Sequence, residues 1–394
     1  MLQTTPIAGG PLAGYVVVEM AGLGPCPFAG MVLADLGADV IRVERARPGS
    51  HVPEDLRFVG NPLDRGKRSI AVDVKRDEGR AIIMALCGRA DALIEGYRPG
   101  VMERLGLGPT ALHERQPGLV YGRMTGWGQS GPLSSTAGHD INYIALAGGL
   151  GTIGRQEDPP PPPLNLVGDF GGGGMLLAVG VLAALLRRVR TGVGEVVDAA
   201  MVDGTSLLLT MVYGMLGEGA WRDERQSNLL DGAAPFYRSY RCSDGRFVAI
   251  GALEPQFYRT VLERLDLEED PSFAQQYDRR YWPEMHRRFE EIFVTQDRQH
   301  WEDLFAQTDG CVSPVLSLLE AADHPHARER KSYLEISGVR QPAPAPRFAN
   351  SSLKVPSPPV RSGTDTRSVL LELGYSESEV SSLVDLGIVS TDGT

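Results

Sequence analysis

The chain opens with a strand, a glycine turn, a helix and a second strand, and that order constrains it more than anything else in the sequence. Tyr15-Val16-Val17-Val18-Glu19-Met20 is a β-branched run closed by Gly22 and Gly24. Pro27 to Leu36 has helical spacing, and Gly37 to Glu44 reads as another strand. Neighbouring parallel strands need a crossover, which is right-handed, so a β-α-β start predicts a parallel sheet. The pattern goes on with strands at Ser69–Asp73, Asp91–Glu95, Gly118–Met124 and Gly194–Ala200. Helices are expected at Glu78–Cys87, Phe170–Val189 and Thr205–Met215. The fold class is therefore α/β, with a Rossmann-like parallel sheet.

At 394 residues the chain exceeds one ordinary core and calls for two domains. Near Asn228 its character changes. Two alternating runs, Phe236–Cys242 and Arg246–Gly251, flank Ser243-Asp244-Gly245, a strong hairpin signal. Helical, Arg/Glu-rich segments follow to about Phe305. Residues 158–163, an aspartate and five prolines, form a stiff extended segment, and 341–361 is Pro-rich and extended. Thr366–Leu373 and Ser376–Leu386 read as short helices.

A net charge of -11 argues against nucleic acid as a partner, although local arginines can still hold an anion. Cys26, Cys87, Cys242 and Cys311 are scattered, with no CxxC and no Cys/His cluster, so reduced thiols and no metal are expected. Met1 to Pro6 has no charged region leading into an apolar core, and Thr391-Asp392-Gly393-Thr394 is not a peroxisomal address. The apolar run Met175–Leu186 spans about 12 residues against the roughly 20 that a bilayer needs, so it reads as a buried helix. The expected location is cytoplasmic, with no membrane partner.

Gly22-Leu23-Gly24-Pro25 lacks the third glycine of a dinucleotide fingerprint and reads as a tight strand-helix turn. Two other segments carry acid/base potential. Gly138-His139-Asp140 sets an imidazole beside a carboxylate, and Gly168-Asp169-Phe170 leads into Gly171–Gly174. Asp169 also suits a helix N-cap, with free N–H groups near it to hold a substrate oxygen and glycines to let a substrate approach. Arg42, Arg45 and Arg98 follow strands, where an open parallel sheet collects ligands, and they suit a phosphate or adenine-bearing ligand. Asp140 joins them as a candidate substrate-binding residue. Glu254 precedes Pro255 and by itself reads as a helix cap.

Together these segments resemble the α-methylacyl-CoA racemases, members of the family III CoA-transferase (CaiB/BaiF-like) superfamily. The resemblance rests on Gly22–Pro25, Val32–Ala38, Arg65–Ser69, Arg104–Pro109, Gly126–Gly131, Ala137–Tyr143 and Pro163–Leu166. It continues through Ala200–Gly204, Asn228–Gly232, Glu254–Tyr258 and Cys311–Val315. Ala233 departs from the second glycine of many racemases, and Ser50–Leu63 is longer than in close relatives.

The resemblance implies an interlocked homodimer. Its large CoA-binding domain takes residues 1–205 and a return over 326–394. A linker helix at 206–228 leads to a smaller α+β domain at 229–325. Arg45 and Arg98 correspond to CoA-binding positions, His139 and Asp169 to the two catalytic bases, and Glu254 to the glutamate that pairs with the histidine from the partner chain. Neutral His139 and ionised Asp169 are expected to exchange roles, the Asp169 N–H holding the enolate oxygen. The implied reaction interconverts (2R)- and (2S)-2-methylacyl-CoA thioesters through an enolate, without cofactor. A family III CoA-transferase with Asp169 as acyl-accepting nucleophile is the alternative, and a non-catalytic acyl-CoA-binding protein a further one.

Overall fold

A computed structural model describes residues 9–46 and 60–391. Residues 1–6, most of 50–63 and the last three residues, each considered above, lie outside the described residues. Two compact units emerge: Met1–Ala147 with Leu164–Leu208 and Lys331–Thr394, and Gly148–Pro163 with Leu209–Arg330.

In the first unit β1 (Val16–Met20), α1 (Pro25–Asp35), β2 (Asp39–Glu44), β3 (Lys67–Val72), α2 (Asp77–Cys87) and β4 (Ala92–Glu95) alternate as expected. Short helices α3 (Val101–Arg104) and α4 (Pro109–Arg115) precede β5 (Val120–Thr125), and α5 (Asp140–Leu146) follows it. The expected single helix from Phe170 is in fact a π-helical stretch, Leu166–Met175, running into α6 (Leu176–Thr191). Then come β6 (Val196–Ala200) and α7 (Met201–Leu208). The expected helix Thr205–Met215 is split, and α8 (Thr210–Gly217) belongs to the second unit.

The second unit continues with β7 (Tyr237–Arg241), β8 (Phe247–Gly251), α9 (Pro255–Arg264), α10 (Trp282–Phe293), α11 (Arg298–Phe305), β9 (Val312–Pro314), α12 (Leu318–Asp323) and α13 (Pro325–Glu329). Strands β7 and β8 pair antiparallel across Asp244-Gly245, with Gly245 at φ +79°. Their inner face, with Tyr240 stacked 5.3 Å from Phe293, closes an aromatic core of its own. The chain ends on β10 (Tyr333–Ile336), β11 (Val339–Pro342), α14 (Thr366–Leu373), α15 (Glu377–Asp385) and β12 (Val389–Ser390).

The seven-stranded sheet runs β12-β3-β2-β1-β4-β5-β6, parallel except for β12. Its six parallel strands follow the order 3-2-1-4-5-6 of a doubly wound fold. Strands covered on both faces read as mostly apolar runs, as Val16-Val17-Val18 in β1 and Ala92-Leu93-Ile94 in β4 do, while β2 is interrupted by Arg42. The outer edge of β3 is sealed by the return: Asp365 accepts the Ser69 N–H, Thr366 Oγ1 accepts the Ala71 N–H, and β12 pairs beyond. Leaving that edge open would expose unpaired backbone groups.

By length and composition alone Leu166–Thr191 could cross a membrane. One face, however, is core: Leu177, Ala178, Val181, Ala184 and Leu185 are buried against the sheet. Met175, Val179, Leu186 and Val189 leave an apolar stripe on the opposite side exposed.

Candidate active site

The strand order reverses between β1 and β4, and in such sheets ligands settle outside the carboxyl ends of the strands at that point. A cavity of about 580 Å³ lies there. Leu23 to Cys26 reach it after β1, Gly96 to Pro99 after β4, and Met124 to Trp127 from the end of β5. Its far wall brings His139 and Tyr143 together with Asn165, Asp169 and Phe170.

Buried ion pairs hold these strand ends. Lys67 Nζ donates to Glu19 Oε2 at 2.7 Å and to the Pro27 carbonyl at 3.0 Å. Gly30 is required above the pair, because a β-carbon there would lie 1.7 Å from Glu19 Oε2. Burial outweighs the Lys67 ammonium and pushes the Glu19 carboxyl up to about 7. Glu95 accepts the Tyr97 N–H at 2.7 Å and Arg123 Nε at 3.1 Å, which fixes the turn carrying Arg98. Burial raises this carboxyl as well, again to about 7.

His139 is exposed at the start of α5, where its backbone N–H donates to Asn142 Oδ1 at 3.0 Å. His139 is one of the residues that line the cavity. Asp169 sits inside the π-helical stretch rather than at a helix N-cap. Its Oδ2 accepts Asn165 Nδ2 at 3.2 Å. Burial raises the Asp169 carboxyl above its ordinary value, the Asn165 bond pulls it back, Asp140 adds to the rise, and His139 opposes it. An imidazole and a carboxylate of raised basicity thus share one half-buried cavity, an arrangement suited to moving protons near neutral pH.

The sequence pattern of CoA-transferase family III matches residues 12–366. The chain belongs to this family. It is 45% identical over 389 residues to the alpha-methylacyl-CoA racemase of Mus musculus, covering 97% of this chain and 98% of that one. The Homo sapiens alpha-methylacyl-CoA racemase is 44% identical over 375 residues, 94% and 95% of the two chains. A crystal structure of a CAIB/BAIF family protein from Brucella suis superposes with a TM-score of 0.79 at 26% identity, covering 93% of this chain and all of that one.

Within this family III chain the expected site residues fall into four groups. His139, Asp169 and Arg98 line the cavity. Arg45 is exposed just beyond β2. Glu254 lies in the second unit, exposed at the N-cap of α9 without making a side-chain cap bond, and its charge acts on Cys311.

Arg42 and Asp140, both expected at the ligand, do not line this cavity and have partners within the chain. Arg42 is only 8% exposed and is held by Asp64 and by Glu44 at 2.7 Å, so it braces β2 from within. Asp140 is buried and accepts the Asp169 N–H at 2.6 Å. The Asp169 N–H, expected to hold a substrate oxygen, makes this bond in the structure.

The glycine run also has a different purpose from the one expected. Gly172, Gly173 and Gly174 are buried, and β-carbons on them would meet the α7 backbone, Pro25 and Phe28 within 3.1 Å. These three let helices approach each other. Asn165 and Tyr143 were visible only inside resemblance motifs. Asn165 stands one helical turn before Asp169, which is the signal that could have marked it.

Proposed function

We propose that this chain is a cofactor-independent isomerase that interconverts (2R)- and (2S)-2-methylacyl-CoA thioesters by 1,1-proton transfer. The observation that carries the reading is the pairing of His139 and Asp169 at one switch-point cavity. The racemase names of relatives 44–45% identical over nearly the whole chain support it.

The base on one face removes the α-proton. The C–H electrons move onto the thioester carbonyl as an enolate, and the acid on the other face returns a proton to carbon. The pair carries one proton in all. With it on His139, Asp169 is the base; with it on Asp169, the neutral imidazole is. Each turnover moves the proton across, and reversal or solvent exchange resets it. A positioned acid or base contributes about 10²–10⁴-fold. No oxidation state changes, so the chemistry itself calls for no redox group. With the Asp169 N–H engaged, the enolate oxygen takes its hydrogen bond from another donor on the wall.

In this reading Arg98 and Arg45 meet the CoA phosphates or adenine by forked hydrogen bonds or stacking. Glu254 of a second copy of the chain orients the His139 ring, as the carboxylate does in a triad. The exposed apolar stripe on α6, and Met211, Tyr213 and Leu216 on α8, favour such a homodimer, since faces like these mark interfaces. A cytoplasmic enzyme remains the reading for location.

The test follows deuterium entering Cα of either 2-methylacyl-CoA enantiomer in heavy water. His139→Ala and Asp169→Ala are expected to abolish conversion while CoA-ester binding persists. Full conversion by either variant ends the two-base reading. Trapping of an acyl group on Asp169 by hydroxylamine would instead identify a CoA-transferase.

A further inference from the structure

Asp140 directly follows one of the two bases in sequence and grips the other in space. It is the first residue of α5, and its Oδ1 accepts the Asp169 N–H at 2.6 Å. The short distance marks a charge-assisted bond. Its Oδ2 is buried and has no partner among the described residues. Gly168 leaves the room for this: a β-carbon there would lie 2.5 Å from Asp140 Oδ1 and 3.0 Å from Ile144 Cγ2 on the next turn of α5. The chain from imidazole to carboxylate thus runs through one side chain and one hydrogen bond.

We infer that Asp140 is a positioning residue that sets the separation of His139 and Asp169 by strapping the start of α5 to the Asp169 amide. The inference rests on the proton-transfer reading above. Two bases must address opposite faces of one carbon, and misplacement by about 1 Å can cost about 10²-fold in rate. A neutral amide would accept the same bond, so the carboxylate has a second effect. Its charge discourages ionisation of Asp169 and keeps that group more basic. The ionisable groups whose charges act on or answer to Asp169 from α5 are Asp140, His139 and the Tyr143 phenol. Around the same stretch and cavity, α1 presents Pro25, the Cys26 thiol and Phe28, the turn after β4 brings the Arg98 guanidinium, and α7 presents Met201 and the backbone at Thr205.

The experiment compares the full-length chain with Asp140→Asn and Asp140→Ala, using (2R)-2-methylacyl-CoA in heavy water across pH. In Asp140→Ala kcat is expected to fall about 10²-fold with KM nearly unchanged, because alignment and not binding is lost. Asp140→Asn keeps an acceptor and is expected to hold kcat within about tenfold of wild type. In both variants the acid limb of the kcat profile is expected to move to lower pH, since the charge that raises Asp169 is gone. A purely structural role lowers the active fraction and leaves that midpoint in place. Asp140→Ala with wild-type kcat, or an unmoved acid limb in both variants, overturns the inference alone. A wild-type chain that takes up no deuterium at Cα overturns the proton-transfer reading and the inference with it.

Discussion

Gly24 leaves room for the carboxylate of Asp169: a β-carbon built on Gly24 would lie 3.0 Å from Asp169 Oδ2. Gly24 has φ +67°, and Pro25 begins α1 immediately after it. The first strand-helix turn therefore forms one wall of the proposed base, in the place where a dinucleotide fold would hold a pyrophosphate.

Gly24→Ala adds a methyl against that carboxylate in a backbone conformation costing about 1–3 kcal/mol for a residue with a side chain. Deuterium exchange is expected to slow by about 10–10²-fold, with CoA-ester affinity changing far less. Unchanged exchange would show that the turn does not constrain the base.

Asn165→Ala removes the hydrogen bond that favours ionised Asp169, so the carboxyl, already raised by burial, rises further. Activity needs the His139–Asp169 pair to carry one proton, and a second proton then binds more readily. The acid limb of kcat is expected to shift to higher pH, opposite to the shift in Asp140→Asn. A pH series on both variants checks the two signs together.

Lys67→Met leaves Glu19 buried without its ammonium, and breaking such a pair costs about 3–5 kcal/mol. Glu19→Gln in the same background is expected to restore much of that loss in urea denaturation. Because burial raises folded Glu19 from 4.5 to about 7, folding takes up a proton at this carboxyl between those two values. Its contribution is full below pH 4.5 and is lost as pH rises towards 7. Glu19→Gln should flatten that part of the stability curve.

Gly204→Ala places a β-carbon 1.9 Å from the Gly172 carbonyl oxygen and 2.5 Å from its carbon. Backbone cannot yield as a side-chain tip can, so α7 must lift from the π-helical stretch. A loss of about 3 kcal/mol or more is expected, read as a lowered Tm. A wild-type Tm would mean that the two segments separate freely.

Much of the fold was legible because parallel strands are buried on both faces and announce themselves as short apolar runs between helices. The hairpin at Asp244-Gly245 was legible because its turn chemistry is local. The π-helical stretch was not, because it packs through Gly172 against Gly204, far along the chain; the split at Leu209 carries no local breaker in the sequence. Nor was β12, since a two-residue strand gains its place only from the β3 edge it covers.

In the site, residue chemistry alone singled out an imidazole and a carboxylate 30 positions apart, and the structure seats both on one cavity. Sequence could not separate Arg42 from Arg98. Both follow the same strand logic, yet Arg42 meets Asp64 and Glu44 while Arg98 faces the cavity.

By itself the sequence determined which groups are present, the alternation that makes a parallel sheet, and the carboxyl ends of strands as the place for chemistry. Only the tertiary structure decided which of those groups are already engaged. It gave the Asp169 amide to Asp140, turned Arg42 inward, and set Gly24 beside the proposed base. The reason is physical: composition and periodicity are local, whereas the availability of a charge or an N–H depends on what the fold brings within about 3 Å of it.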